Sequence, residues 1–173
     1  APQWIEKAFL MDKIITISEH SKQTYENTVY EFENKETGEK GVQKIVTPIE
    51  YVSYPVRKYD PIELDLDLKT KFNFLSIAQL SPRKNTDQTI KCFVEKFKDN
   101  ADVGLVFKSN IAKNSLIDKN RTLMGLKRVL ARYPDRKCKV YLLHGHLSDQ
   151  ELASLYTHPK IKALVSTTHG EGF

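Results

Sequence analysis

Short apolar segments alternate with amphipathic ones through the second half of the chain, and this alternation is the feature that most constrains the fold. The apolar segments are rich in β-branched and aliphatic residues and occupy residues 72–78, 102–109, 139–145 and 161–166. Segments this short, without strict apolar–polar alternation, are typical of strands buried on both faces. The strand–helix repeat therefore predicts an α/β fold with a parallel, Rossmann-like sheet and right-handed crossovers.

The segments between these strands have helical periodicity. A helix is predicted over about 86–98, where an i, i+3, i+4, i+7 stripe is formed by Ile90, Phe93, Val94 and Phe97. A second is predicted near 119–133, with one apolar face made of Leu123, Leu126, Leu130 and Tyr133. Ser148 and Glu151 have the spacing of a capping box, which predicts that a third helix begins there.

The first half of the chain is less regular. Residues 13–18 predict a buried strand, and Ser18 or Ser21 can cap a helix that runs to about Tyr30. The charged stretch 33–41 predicts a solvated loop or a hairpin tip, and 45–56 is expected to be extended. Prolines 55 and 61 then mark the best linker candidate. We therefore expect a first unit over 1–56, a linker over 57–71 and a second domain over 72–173.

Composition and missing motifs exclude several classes of protein. The apolar runs are too short to span a membrane, and the N-terminus does not have the pattern of a secretory signal. Cys92 and Cys138 lack metal-ligand spacing and are interpreted as reduced thiols in a cytoplasmic protein. No Walker A loop, GxGxxG or GxSxG motif occurs, which argues against phosphate-loop ATPases, classical dehydrogenases and α/β-hydrolases. The net charge, 27 − 22 = +5, is compatible with an anionic partner.

The loops that follow the strands are the expected site, because open parallel sheets bind ligands beyond the carboxyl ends of their strands. These loops read "QLSPRKN", "KSN", "HGHLS" and "TTHGEGF". Three of the seven glycines, Gly145, Gly170 and Gly172, fall in them, and glycine lets backbone amides approach a ligand closely. Tight turning is the alternative explanation for these glycines.

Arg83 and Lys84 precede a predicted helix N-terminus, where free N–H groups and a partial positive charge favour phosphate. Asp87 in the first turn opposes this, and a purely surface role for the pair is the alternative. Glu171, flanked by glycines, could accept sugar hydroxyls, bind a cation or act as a base; a solvated loop acid is the alternative. The histidines of these loops have no recognised ligand spacing, so we expect no metal site.

Taken in order, these segments resemble a GT-B glycosyltransferase of the family 4 (group 1) type. "ITISEHSK" and "VSYPVRKYDP" resemble the end of the N-terminal, acceptor-side domain and the strand that leads into the linker. "FLSIAQLSPRKNTDQTIKCF" resembles the first strand, phosphate loop and helix of the donor-binding domain. "VYLLHGHLSDQELASLY" resembles the stretch with the nucleobase-side loop, and "ALVSTTHGEGF" the start of the Glu-x7-Glu motif.

The resemblance implies a role for each matching residue. Lys84, helped by Arg83, would bind the donor diphosphate, and Glu171 would contact or orient the donor sugar as the catalytic-site acid. The base pocket would be lined, largely through main-chain groups, by Gly145, His146 and Leu147. The sugar or distal phosphate would lie near Gly170, Gly172 and Phe173. Members of this family transfer a sugar from a nucleotide-diphosphate donor to a glycan, lipid-linked or other acceptor with retention at the anomeric carbon. They usually need no metal or other cofactor.

The sequence departs from the family pattern in three places. Ala78-Gln79 stands where many members have Gly-Arg, and "FKSN" replaces a frequent Gly-x-Gly. The sequence ends two residues after Glu171, before a second glutamate that would bind the donor ribose. We therefore expect a fragment of a longer polypeptide that by itself shows little or no transfer.

Two other functions remain as alternatives. A non-catalytic nucleotide-binding or scaffold module derived from such an enzyme would bind nucleotides without turnover. A nucleic-acid-binding protein would use the positive charge, but no aromatic residues cluster among the basic ones, so we expect no nucleic-acid partner. The expected location is cytoplasmic, and peripheral association with the cytoplasmic face of a membrane is left open.

Overall fold

In the computed structural model, residues 7–34 and 36–170 are described, and the chain divides after Arg57 into two compact units. None of the helices within these residues combines the length and the apolar character that crossing a bilayer requires.

The first unit contains a small parallel sheet and a hairpin. Its elements are β1 (Ile14–Thr16), α1 (Glu19–Asn27), β2 (Val29–Glu33), β3 (Lys40–Lys44) and β4 (Ile49–Tyr51). β1 pairs in parallel with β4, and β2 pairs antiparallel with β3. Ser18, not Ser21, caps α1, since its hydroxyl oxygen accepts the Ser21 N–H at 3.2 Å.

Two expectations for this unit are corrected. α1 ends at Asn27 and not near Tyr30, because the following "VYEFE" is rich in β-branched and aromatic residues and pairs as β2. Of the segment 45–56, only Ile49–Tyr51 forms a strand.

The second unit is the predicted α/β sheet. Its elements are β5 (Phe72–Ile77), a 3₁₀ turn (Pro82–Lys84), α2 (Thr86–Phe97), β6 (Val103–Lys108), α3 (Leu116–Leu130), β7 (Lys139–Leu143), α4 (Asp149–Thr157) and β8 (Ile161–Leu164). The four strands are all parallel and lie in the order β7-β6-β5-β8. The predicted capping box is present at α4, where Ser148 and Glu151 exchange hydrogen bonds.

Alternate residues of the strands supply two apolar cores, one on each face of the sheet. Leu105 and Phe107 of β6 pack with the buried faces of α2 and α3. Val106 and Leu75 point the other way and pack with Leu155 of α4. That second core also includes Leu68 from the segment before β5. Because each fully buried aliphatic or aromatic side chain contributes about 1.5–3 kcal/mol, burial on both faces holds the central strands in place.

The strand order creates a switch point between β5 and β8. From β5 the chain moves to β6 and then β7 on one side, and afterwards returns to form β8 on the other side of β5. The connections after β5 and β8 therefore diverge, and in open α/β sheets a ligand crevice forms where this happens.

Candidate functional site

The loops that follow β5 and β8 are joined directly to each other. The backbone N–H of His169 donates to the carbonyl oxygen of Arg83 at 3.0 Å, and the Thr168 hydroxyl donates to the same oxygen at 3.1 Å. In return, Nη1 of the Arg83 guanidinium donates to the carbonyl oxygen of Gly170 at 2.5 Å. The structure thus brings together Arg83 and Gly170, two of the residues predicted to bind the donor.

Asn85 fastens the start of α2 to the same β8 loop. Its backbone lies in the left-handed region (φ 49°, ψ 39°), which asparagine tolerates better than most residues. The Asn85 side-chain amide donates to the carbonyl oxygen of Thr167 at 3.2 Å, and the Thr167 hydroxyl donates to the Asn85 carbonyl at 3.1 Å. The hydroxyls of Thr89 and Thr167 lie 2.7 Å apart. The helix N-terminus that was predicted to receive phosphate is therefore held at the switch point.

A cavity of about 520 Å³ opens beside this helix N-terminus. It is lined by Leu80, Ser81, Pro82, Asn85, Thr86 and Asp87. In the turn before the helix, Lys84 is half-buried and Arg83 is exposed. Asp87 is the only charged residue of this lining, so the cations Arg83 and Lys84 precede the helix without forming the wall of the cavity. A cavity of about 570 Å³ in the first unit lies over the β2–β3 hairpin and includes no strand exit of the four-stranded sheet.

Lys108, at the end of β6, is a cation of this edge that the sequence patterns did not single out. Its ammonium donates to the carbonyl oxygen of Gly145 at 2.6 Å, and burial lowers the pKa of the Lys108 ammonium. Gly145 has a φ of 117°, which residues with a side chain rarely adopt. In the same loop His146 is exposed, whereas Leu147 packs on the core around Leu155. The Leu147 side chain is thus partly occupied by the core, which leaves mainly its main chain for a ligand.

Ser109 connects three strand exits. It is buried, its hydroxyl donates to the carbonyl oxygen of Ala78 at 2.7 Å, and its N–H donates to that of Leu143 at 3.1 Å. These bonds extend the pairing of β5, β6 and β7 beyond the strands themselves. The sequence signal for this role is the serine of "FKSN", a segment that departs from the family pattern.

A buried pair, His144 and Asp118, supports the same edge. Their side chains are 3% and 8% exposed, and His144 Nε2 lies 2.8 Å from Asp118 Oδ1. The Asp118 carboxylate also accepts the backbone N–H groups of residues 111, 112 and 113 and the Thr122 hydroxyl. The N–H of Lys113 above all, and then the bond with His144, hold the pKa of Asp118 well below its usual range. Among residues 7–34 and 36–170, no three His, Cys, Asp or Glu side chains come together in a way that could hold a metal ion.

The predicted donor-binding residues occupy the same edge of the sheet but form two groups. Arg83, Lys84 and Gly170 lie at the exits of β5 and β8, whereas Gly145–Leu147 follow β7. Since neighbouring strands lie about 4.8 Å apart, the exits of β7 and β5 are separated by about 10 Å. Glu171, Gly172 and Phe173 lie outside the described residues, so their predicted roles stay predictions.

Comparison with known proteins bears on the fold. No protein-family profile and no curated protein sequence matches the chain. The solved structures that match include an apo structure of OtsA (TM-score 0.59, 12% identity, 99% of this chain and 43% of that one). They also include the trehalose-6-phosphate synthase OtsA (TM-score 0.58, 12% identity, 98% of this chain and 42% of that one). The chain thus spans less than half the length of these structures. The second unit has a Rossmann-like α/β fold of the GT-B type, and the fold predicted from the sequence is confirmed.

Proposed function

We propose that this chain belongs to a glycosyltransferase that moves a sugar from a nucleotide-diphosphate donor to an acceptor with retention of anomeric configuration. The observation that carries the proposal is the pair of joined loops at the switch point, in which Arg83 bonds to the β8 loop through both its guanidinium and its carbonyl oxygen and lies in the turn that precedes α2. Diphosphate binding fits this place, because cations and a helix N-terminus meet there.

In this proposal the cationic residues at the strand exits stabilise the diphosphate that leaves the donor. Negative charge builds up on the phosphates as the glycosidic bond to the donor breaks, and fixed cations and dipoles lower the barrier most when they need not reorganise. Arg83 and Lys84 supply charge at the β5 exit. Lys108 supplies a further cation at the β6 exit, where its bond to the Gly145 carbonyl fixes its position.

The remaining roles follow the family pattern. Gly145, His146 and Leu147 would offer main-chain groups to the nucleobase, and Glu171 would orient the sugar. The acceptor would be a glycan, a lipid-linked saccharide or another hydroxyl compound. The shared fold with a trehalose-6-phosphate synthase supports a glycosyltransferase origin; membership of family 4 stays a prediction.

Binding of a panel of uridine, guanosine and adenosine diphosphate sugars, measured by calorimetry, tests the proposal. Lys84→Gln is expected to weaken binding of the preferred donor roughly tenfold or more, since a charged hydrogen bond contributes about 1.5–3 kcal/mol. Lys96→Gln is the matched control. It removes the same charge from the last turn of α2, about 15 Å along the helix from the first turn, and should leave binding unchanged.

Three results are distinguishable. Binding with transfer of the sugar, in a chain carrying its acceptor-side domain, supports the full proposal. Binding without transfer or hydrolysis, in a chain carrying its acceptor-side domain, would favour the non-catalytic nucleotide-binding module. If no nucleotide sugar binds, or if Lys84→Gln and Lys96→Gln behave alike, the diphosphate site is wrongly placed.

A further inference from the structure

The outer face of α3 carries an unusual concentration of exposed apolar side chains. Within residues 58–170, only four large apolar residues are more than 60% exposed, and three of them belong to α3: Leu116 (72%), Ile117 (66%) and Met124 (65%). The fourth, Leu164, lies on the edge strand β8. Scattered apolar residues are normal on protein surfaces, but several on one helix indicate a contact surface.

These apolar residues alternate with cations along the helix. Ile117, Arg121, Met124 and Arg128 follow one another at spacings of four, three and four residues, so they lie in a single stripe. We call these four residues the α3 stripe. The buried residues of α3, among them Leu126 and Val129, lie on the opposite side of the helix and face the core. The α3 stripe therefore points away from the sheet.

The stretch of chain that includes α3 contains no exposed acid. Between residues 111 and 134 the only acidic residue is Asp118, which is buried and bonded to His144. All six basic residues of this stretch are exposed: Lys113, Lys119, Arg121, Lys127, Arg128 and Arg132. Exposed acids close to this stretch are Asp135, which follows it in sequence, and Glu95 of α2, which accepts a hydrogen bond from Tyr133.

We propose that the outer face of α3 docks on an anionic lipid surface. Helices that lie in the membrane interface combine protruding aliphatic side chains with lysine and arginine, and both are present on this face. Proteins that bind single-stranded nucleic acid stack its bases on aromatic side chains, and the exposed face of α3 has none. A second copy of this chain would bring like charges together. This proposal goes beyond the transferase site and does not depend on it.

Flotation of the full chain with vesicles tests the proposal. We expect binding to phosphatidylcholine vesicles that contain phosphatidylglycerol, little binding to phosphatidylcholine alone, and weakening as salt is added. Arg121→Gln/Arg128→Gln should lower the partition coefficient roughly thirtyfold, because each cation near an anionic bilayer contributes about 1 kcal/mol. Ile117→Ser/Met124→Ser keeps the charge and should lower it roughly tenfold or more, since insertion of the apolar side chains is lost.

Lys139→Gln/Lys162→Gln is the matched control, because it removes two exposed cations from the edge strands β7 and β8. It should change the partition coefficient by less than about threefold. An unchanged unfolding midpoint for each variant shows that the fold is kept, as expected for exposed positions.

The proposal is overturned if the wild-type chain does not float with anionic vesicles, or if the control and the α3 variants lose binding equally. It is also overturned if the α3 face binds RNA or an acidic polypeptide in place of vesicles. Nucleotide-sugar binding, measured in parallel, should be the same in all these variants, so that failure of one proposal is separable from failure of the other.

Discussion

Gly104 of β6 has no room for a side chain. It is the second residue of β6 and pairs with Asn73 of β5. A Cβ at position 104 would overlap Asn73 Oδ1, lie 2.7 Å from Thr70 Oγ1 and lie 2.9 Å from Cε2 of Tyr141. Gly104→Ala therefore forces a buried polar network to move.

The loss of stability in Gly104→Ala can be worked out from the hydrogen bonds of this network. Asn73 is fully buried, and its Nδ2 donates to the Lys160 carbonyl at 3.0 Å while its Oδ1 accepts from Thr70. Tyr141 Oη lies 3.1 Å from Thr70 Oγ1. Displacing Asn73 leaves buried polar atoms without partners at about 1–3 kcal/mol each, and overpacking adds about 1–3 kcal/mol. We expect Gly104→Ala to lower the free energy of unfolding by about 3–5 kcal/mol.

Equilibrium unfolding in urea, with intrinsic fluorescence and circular dichroism as probes, measures this change. Gly125→Ala is the matched control, because a Cβ at that position of α3 meets no atom within 4 Å. It should raise the free energy of unfolding by about 0.5–1 kcal/mol through helix propensity. Adding Asn73→Ala to Gly104→Ala should cost less than the sum of the two single changes, since the clash disappears. A loss below about 1 kcal/mol for Gly104→Ala would refute the reasoning.

Two further predictions concern the carboxyl edge of the sheet. Because the pKa of Asp118 is depressed in the folded chain, its contribution to stability is present above the unfolded pKa of about 4 and is lost as pH falls towards the folded value. The gap in Tm between wild type and Asp118→Asn should therefore be wide at about pH 7 and narrow steadily below about pH 4; a gap that stays constant would contradict this. Asn85→Ala should lower the free energy of unfolding by about 1–2 kcal/mol, through left-handed strain and the lost bond to Thr167, and Asn85→Gly by less, since glycine adopts this φ without strain. Equal losses in urea titrations of the two Asn85 variants would exclude strain as a cause.

The sequence predicted the elements well where one local signal was strong. α2 was placed within one residue because its apolar stripe is unbroken, and all four strands of the sheet were found from their apolar runs. α3 begins at Leu116, earlier than the predicted 119, because Ser115 caps it through the Asp118 N–H while its first apolar residues face outwards. α3 ends at Leu130, before the predicted end at Tyr133. This agrees with the sequence, because Pro134 disfavours the helical conformation at Tyr133.

The site was predictable in outline but not in its contacts. Chemistry at strand exits follows from the parallel sheet alone, so Arg83, Gly145 and Gly170 could be chosen from the sequence. The bond between Arg83 and Gly170 joins residues 87 positions apart and depends on β8 lying beside β5. No local pattern contains that strand order. Lys108 was missed for a similar reason, because only the neighbouring β7 loop provides its acceptor.

The amino and carboxyl ends of the four-stranded sheet differ in their hydrogen bonds and in their charge. At the amino end, the Thr70 hydroxyl bonds to both Asn73 and Tyr141, and Asn73 bonds to the chain before β8. These side chains fit because Gly104 has no side chain of its own. At the carboxyl end, hydrogen bonds made by Ser109 hold the backbone, while Arg83 is exposed and Lys84 and Lys108 are partly buried. Preorganised charge is worth most where the supporting backbone does not have to move when a ligand arrives. The carboxyl edge meets that condition, because its loops are bonded to each other and Arg83, having used Nη1 on Gly170, still has further N–H donors for an anion.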